Sequence, residues 1–281
     1  KAAYVNDEGR VYGYGNDVND KCSGVRPALY LNLSSDMYSY AGTVCSDGTV
    51  NEQKKEETDN IASPLQKSGE FKFETSLDNI VNTSGEDNKT AKYTYDYDEN
   101  WFFTPSTTYQ HELTKMSIRA AMAGYGVMDA PHSVDTNIKY LMAGNDKNSL
   151  EFTNYESSYP DPKTNTIGYA IGSKNIKNSA GETCSLLMVT VRGGGYMDEW
   201  GGNFDLGTKD EHQGFNEAAL QVRDGIKKYV EKYKDKLPYE LKVWISGYSR
   251  GAATTNLVAK MLDDGAIEGL TRDNIYAFCF E

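Results

Sequence analysis

The feature that most constrains this chain is a pentapeptide together with what flanks it. Gly247, Tyr248, Ser249, Arg250 and Gly251 stand between an apolar run, LKVWIS at 241–246, and a stretch at 250–262 in which Ala253, Leu257, Val258 and Met261 fall at helical spacing. Alone, a G-x-S-x-G is weak, because glycine and serine at ordinary frequencies produce one by chance in roughly one chain in ten of this length. A strand before it and a helix after it change its meaning. In such a turn the serine takes a strained backbone conformation with Oγ raised above a sheet, and side chains two residues to either side would collide. Gly247 and Gly251 carry no β-carbon, and a helix opening at Arg250 aims free N–H groups and a positive dipole end at charge developing beside Ser249. The expectation is a nucleophile, against the plain alternative of a strand-to-helix turn that merely uses glycines.

The rest of the chain reads as α/β. Tyr93, Tyr95 and Tyr97 alternate as in a half-buried strand; Leu113, Met116, Ser117, Ala120 and Ala121 form one helical stripe, and Val134, Ile138, Leu141 and Met142 another, stopped by Gly144 and Asn145. Ile167, Tyr169 and Ile171 alternate again, and 186–191 is a continuous apolar run of the kind buried on both faces of a parallel sheet. Phe215, Ala219, Val222, Ile226, Tyr229 and Tyr233 keep the 3.6-residue period, and 275–280 reads as a further buried strand. Alternating strand and helix patterns from residue 65 onward predict a mostly parallel central sheet with flanking helices.

Five landmarks in order carry a family resemblance: Val191-Arg192-Gly193 at the end of a strand, then Glu199-Trp200, then His212-Gln213-Gly214-Phe215 opening a long helix, then the pentapeptide, then Tyr276-Ala277-Phe278. In this the chain resembles the class 3 lipases, well over 185–281 and loosely over 90–184. The resemblance implies an α/β-hydrolase fold, an ester or lipid substrate, Ser249 as nucleophile, and an oxyanion hole formed by the main-chain N–H groups of Gly194 and Arg250. It implies no cofactor. Three positions depart from the family. Gly194 stands where a hydroxyl residue is usual, removing a side-chain donor, and Tyr248 and Arg250 replace the usual His and Leu of the pentapeptide. Tyr196, Met197 and Trp200 occupy the place of a mobile lid in related lipases, with simple loop packing as the alternative.

In this fold the triad runs serine, acid, histidine along the chain. His111, His132 and His212 all precede Ser249; His212 is expected to be structural, the other two surface or helix-end residues. The acid and base are therefore expected beyond residue 281, in cis or as a separate fragment, making these residues alone nearly inactive and leaving 275–280 without a neighbouring strand. Asp96, Asp98 and Glu99 lack calcium-loop spacing and read as a solvated strand end, while Asp198 and Glu199 read as loop surface. No metal site is expected.

Composition narrows the partners. A net charge of -12, from 41 acidic against 29 basic residues, argues against nucleic acid, which rewards clustered cations. The apolar runs are too short to span a bilayer, although transient contact with a lipid surface fits the resemblance. Residues 1–50 are rich in Tyr, Gly, Asn and Asp with short strand-like pieces such as 28–33. Within them, GVRPALYLNLSS (24–35) resembles the closing strand of a small β-rich module of secreted and surface proteins of Gram-positive bacteria, which implies a secreted or cell-surface location. A charged stretch at 51–64 reads as a linker, giving 1–50 as the end of a β-rich module and 65–281 as the hydrolase domain. Cys184 and Cys279 read as buried free thiols, and Cys22 with Cys45 as the one candidate disulfide.

Two enzymatic readings share this serine turn: carboxylic ester hydrolysis through an acyl-enzyme, and thioesterase, acyltransferase or amidase chemistry. A third is a non-catalytic surface binding or scaffold protein on a hydrolase fold.

Overall fold

The computed structural model describes residues 2–5, 11–16, 43–44, 50–51, 61–74, 90–125, 131–144, 149–159, 163–194, 197–208 and 211–280. The chain divides into two units, Lys1–Glu57 and Thr58–Glu281. In the first, β1 (Ala2–Val5) pairs antiparallel with β2 (Val11–Asn16), and β3 (Thr43–Val44) with β4 (Val50–Asn51). The strand read at 28–33 and the pair Cys22 and Cys45 lie outside the described residues.

The second unit begins with β5 (Ile61–Ala62), which lies inside the stretch read as linker yet joins the central sheet. It continues with the hairpin β6 (Gln66–Glu74) and β7 (Thr90–Asp98), the helices α1 (His111–Tyr125) and α2 (Pro131–Ala143), then β8 (Thr153–Ser158), β9 (Tyr169–Lys177) and β10 (Thr183–Val191). A short α3 (Met197–Trp200), the long α4 (Gln213–Lys232), β11 (Leu241–Tyr248), α5 (Arg250–Met261) and β12 (Ile275–Phe280) complete it.

The sheet order is β12-β11-β10-β9-β5, with β8 also pairing with β9. Connection length decides the strand directions. A parallel neighbour needs a crossover of a dozen or more residues, and α4 and α5 supply those for β10 to β11 and β11 to β12, which run parallel. Between β9 and β10 there is only a tight turn, closed by Asn178 N–H donating to Glu182 O at 3.0 Å and Gly181 N–H to Asn178 O at 3.0 Å, so those two strands are antiparallel. The apolar run of β10 is thus buried on both faces as expected, but it lies between one parallel and one antiparallel neighbour.

Its alternate residues feed two cores. Leu186 and Met188 face a cluster with Leu113, Met116, Ile138, Met142 and Trp244, under α1 and α2. Leu187, Val189 and Val191 face Val222, Ile226, Val243, Ile245 and Val258, under α4 and α5. Full burial of such side chains contributes about 1.5–3 kcal/mol each, which fixes the register of the central strands. The polar member of the α1 stripe is satisfied: Ser117 Oγ donates to Leu113 O at 2.7 Å and accepts from Trp244 Nε1 at 2.7 Å.

Three readings are corrected. Glu99 is not solvated: it is fully buried, paired with Lys174 at 2.6 Å, and accepts from Leu65 N–H at 2.9 Å and Tyr97 Oη at 3.0 Å. Burial raises its carboxyl above the ordinary value, and Lys174 opposes the rise. β12 is the edge of the described sheet, so Ile275 and Tyr276 are buried while Ala277 and Cys279 are exposed. Cys279 is therefore an exposed free thiol; Cys184 is the buried one, its thiol pushed up to about 12 by burial.

Candidate active site

The site is built where β11 turns into α5. Ser249 has φ 54° and ψ −121°, a left-handed conformation that costs a non-glycine residue about 1–3 kcal/mol and persists only where the surroundings impose it. They do so by close approach. A β-carbon on Gly247 would lie 2.3 Å from Gly251 O, and one on Gly251 would lie 2.5 Å from Val191 O and 2.8 Å from Arg192 O. All three contacts are to main chain, so no side chain can rotate to make room. Ser249 N–H donates to Phe280 O at 2.8 Å, and Ser249 O accepts from Ala252 N–H at 2.8 Å. The turn is therefore tied to β12 on one side and to its own helix on the other.

The hydroxyl is left free for chemistry. Ser249 is exposed, and although it occupies the N-cap position its side chain does not cap α5. The first N–H groups of a helix have no intrahelical partner, so the Arg250 N–H is available beside it.

Parallel pairing brings the end of β10 to the same place. Val191 is registered against Gly247, so Arg192, Gly193 and Gly194 leave the sheet next to the turn. A β-carbon on Gly194 would sit 3.5 Å from Arg250 Cδ and 3.6 Å from Arg250 Cβ. The structure thus packs Gly194 against Arg250, the two residues the sequence singled out. Those separations are ordinary van der Waals contact, so the lack of a side chain at Gly194 is not forced by crowding.

Behind the turn lie buried charges that sequence reading missed. Arg192 and Glu199 form an ion pair with both side chains almost wholly buried, and the Arg192 guanidinium lies 5.2 Å from the ring centroid of Tyr159. Glu199 is 0% exposed, which corrects its reading as loop surface. Burial raises its carboxyl, with Arg192 opposing. Arg250 is 2% exposed; its Nη1 donates to Asn203 Oδ1 at 2.8 Å and its Nη2 approaches the carbonyls of Thr166 at 3.4 Å and Gly214 at 3.5 Å. Burial pulls its guanidinium below the ordinary value, with Glu199 opposing that shift and Arg192 adding to it. The Val191-Arg192 and Glu199-Trp200 landmarks were visible in the chain, but their pairing depends on the path of the loop between them.

The described histidines are engaged elsewhere. His212 is the N-cap of α4: Nδ1 accepts from Phe215 N–H at 3.4 Å, Nε2 lies 3.1 Å from Asn203 O, and the ring stacks on Phe215 at 4.0 Å. Gly214, in the same motif, admits no β-carbon, because one would lie 2.0 Å from Gly202 O. His111 is exposed at the start of α1, its Nδ1 3.0 Å from Tyr109 Oη. The side chain of His132 lies outside the described residues. Among the described residues, Ser249 Oγ has no hydrogen bond to a histidine or a carboxylate, and no cluster of ligating side chains could hold a metal ion.

The segment after Gly194 also presents apolar side chains to solvent: Trp200 is 47%, Phe204 74% and Leu206 66% exposed. Tyr196 and the side chain of Met197, read with Trp200 as a lid, lie outside the described residues. Residues 189–279, which run from β10 through the serine turn into β12, match the model of the family described as Lipase (class 3). No curated protein and no solved structure matches the chain.

Proposed function

From the match of residues 189–279 to the class 3 lipases, we propose that this chain is a lipase-like α/β-hydrolase that hydrolyses carboxylic esters through an acyl-enzyme on Ser249. The observation that carries the reading is the exposed serine held at φ 54° between two glycines whose β-carbons would strike main chain, with Gly194 packed against Arg250. Ser249 Oγ attacks the ester carbonyl carbon, and the C–O π pair moves onto oxygen. The N–H groups of Gly194 and Arg250 hold that oxyanion where charge appears, in place and without reorganisation. Collapse breaks the bond to the alcohol, which leaves with a proton; water then attacks the acyl-serine and releases the acid. Oγ gives up its proton to a base during attack, a role none of the described histidines fills. No cofactor enters these steps.

Three exposed apolar side chains on the loop that carries Gly194, Trp200, Phe204 and Leu206, support transient contact with a lipid surface and hence a lipid ester as substrate. The resemblance of 24–35 to a module of secreted and surface proteins supports a secreted or cell-surface location. Among the described residues no helix is long and apolar enough to cross a membrane.

The test is covalent labelling of the full-length protein with a fluorophosphonate probe, alongside turnover of short- and long-chain p-nitrophenyl esters. Labelling and turnover that vanish in Ser249→Ala, with unfolding still cooperative, are the expected result. A wild-type protein that neither labels nor turns over any ester favours a non-catalytic scaffold and removes the enzymatic reading.

A further inference from the structure

The oxyanion arrangement uses only the main-chain N–H of Arg250, which any residue but proline would provide. The side chain at that position is a separate matter. An arginine at the first turn of a helix ordinarily extends into water, because burying a guanidinium costs several kcal/mol unless its donors are satisfied. Here it is drawn back under the turn and is 2% exposed, and acceptors from three different segments surround it. Asn203 Oδ1 at 2.8 Å belongs to the loop after α3, Thr166 O at 3.4 Å to the loop before β9, and Gly214 O at 3.5 Å to the first turn of α4. Phe215 covers it, its ring centroid 5.6 Å from Cζ.

The neighbouring backbone is shaped around this group. A β-carbon on Gly202 would lie 2.8 Å from both Nη atoms, and one on Gly194 would lie 3.5 Å from Cδ of the Arg250 stem. One residue therefore lies beside Gly194 at one end of this loop segment and hydrogen-bonds Asn203 at the other, while its own main chain forms the serine turn.

We propose that the Arg250 side chain is a positioning residue for the oxyanion hole, a strut that fixes the loop carrying Gly194 against the serine turn, with Asn203 as its principal partner. The proposal rests on the hydrolase reading above. Two N–H groups stabilise an oxyanion only when both are preset at hydrogen-bond distance from where the charge develops. The Arg250 N–H is set by the helix. The Gly194 N–H sits on a loop beginning Gly193-Gly194, a sequence with little conformational preference of its own, and the last ladder bond before it is Arg192 N–H to Gly168 O at 2.8 Å. A planar guanidinium with donors in a fixed fork can hold several acceptors in one geometry; an ammonium on a flexible stem cannot. That is the physical reason for an arginine at this site.

The experiment compares wild type, Arg250→Met, Arg250→Lys and Asn203→Ala as full-length proteins. It uses steady-state hydrolysis of p-nitrophenyl butyrate and hydrogen exchange of the backbone amides of 201–206. Asn203→Ala removes the partner and leaves the turn itself unaltered, so the idea remains testable even if Arg250→Met does not fold. The expected outcome is a kcat about 10- to 100-fold lower in Arg250→Met and Asn203→Ala with KM within about twofold, the scale of effect that a displacement of about 1 Å produces. Exchange at 201–206 is faster in the same variants, and Arg250→Lys recovers only part of either property. Full recovery by lysine would show that charge alone matters and would overturn the strut. Unchanged kcat and unchanged exchange in Asn203→Ala would overturn it as well. If the wild-type protein neither turns over ester nor labels at Ser249, the hydrolase reading fails on its own account. Exchange at 201–206 then decides the strut: acceleration in Asn203→Ala supports it, and its absence removes it.

Discussion

Replacing Gly251 by alanine tests the geometry of the serine turn most directly. The added β-carbon would lie 2.5 Å from Val191 O, 2.8 Å from Arg192 O and 2.9 Å from the Arg192 carbonyl carbon. A tolerable carbon–oxygen contact is about 3.3 Å, so the helix start and the end of β10 have to separate by about 0.8 Å. β10 is pinned between β9 and β11, which leaves the start of α5 as the part that moves. Overpacking of this kind costs about 1–3 kcal/mol, equivalent to a fall in unfolding midpoint of roughly 2–12 °C for a unit of this size. The same displacement separates the Arg250 N–H from Gly194, and a shift near 1 Å lowers rates by about 100-fold.

Gly181→Ala is the control. Gly181 also has positive φ, 87°, but a β-carbon there would meet nothing within 4 Å, so it costs about 1–2 kcal/mol through backbone conformation alone. The assay is the second-order rate of fluorophosphonate labelling at Ser249, measured well below both midpoints, with urea unfolding for stability. Both variants should be destabilised to a similar degree, and only Gly251→Ala should label slowly. Wild-type labelling in Gly251→Ala, or equal slowing in Gly181→Ala, would refute the argument.

Two further outcomes follow from the same structure. Ser249→Gly and Ser249→Ala should both fail to label, but Ser249→Gly should be the more stable by about 0.5–1 kcal/mol in urea unfolding, since glycine alone accepts positive φ without strain; equal stabilities would mean that the turn stores none. For Glu99, whose carboxyl burial raises above its ordinary 4.5, the folded state holds the proton more tightly than the unfolded chain. Its contribution is therefore fully present below 4.5 and is lost as pH rises through the raised folded value. The stability of wild type relative to Glu99→Gln should fall across that window and level off above it, and a difference that is flat or rises with pH would contradict the assignment.

Much of the second unit could be read from the chain because its local signals agree. The α1 stripe, the long period from Phe215 to Tyr229 and the apolar runs at 186–191 and 241–246 each sit in the element they suggest; Ala219, Val222, Ile226 and Tyr229 are buried, with Phe215 half-buried at the start of α4 and Tyr233 half-buried just past its end. β6 and β8 were not foreseen. Sequences such as QKSGEFKFE and TNYESS mix charge and hydroxyl with few apolar residues, and strands of that kind are defined by a partner's edge rather than by their own pattern. β5 is two residues long and was absorbed into a charged linker for the same reason.

The site divides along the same line. The serine turn was legible in the sequence because Gly247, Ser249 and Gly251 stand together between a strand pattern and a helix pattern, and the demand on Gly247 is local, set by Gly251 O; the demand on Gly251 comes from Val191 O and Arg192 O of β10, a contact that only the fold makes. Sequence alone also determined the order of landmarks that marks residues 189–279 as lipase-like. Only the tertiary structure decided where charge is buried. Arg192 with Glu199, Glu99 with Lys174, and Arg250 with Asn203 are pairs formed by chain segments that meet through packing. An isolated Glu or Arg in a sequence carries no sign of whether the fold will surround it with water or with a partner.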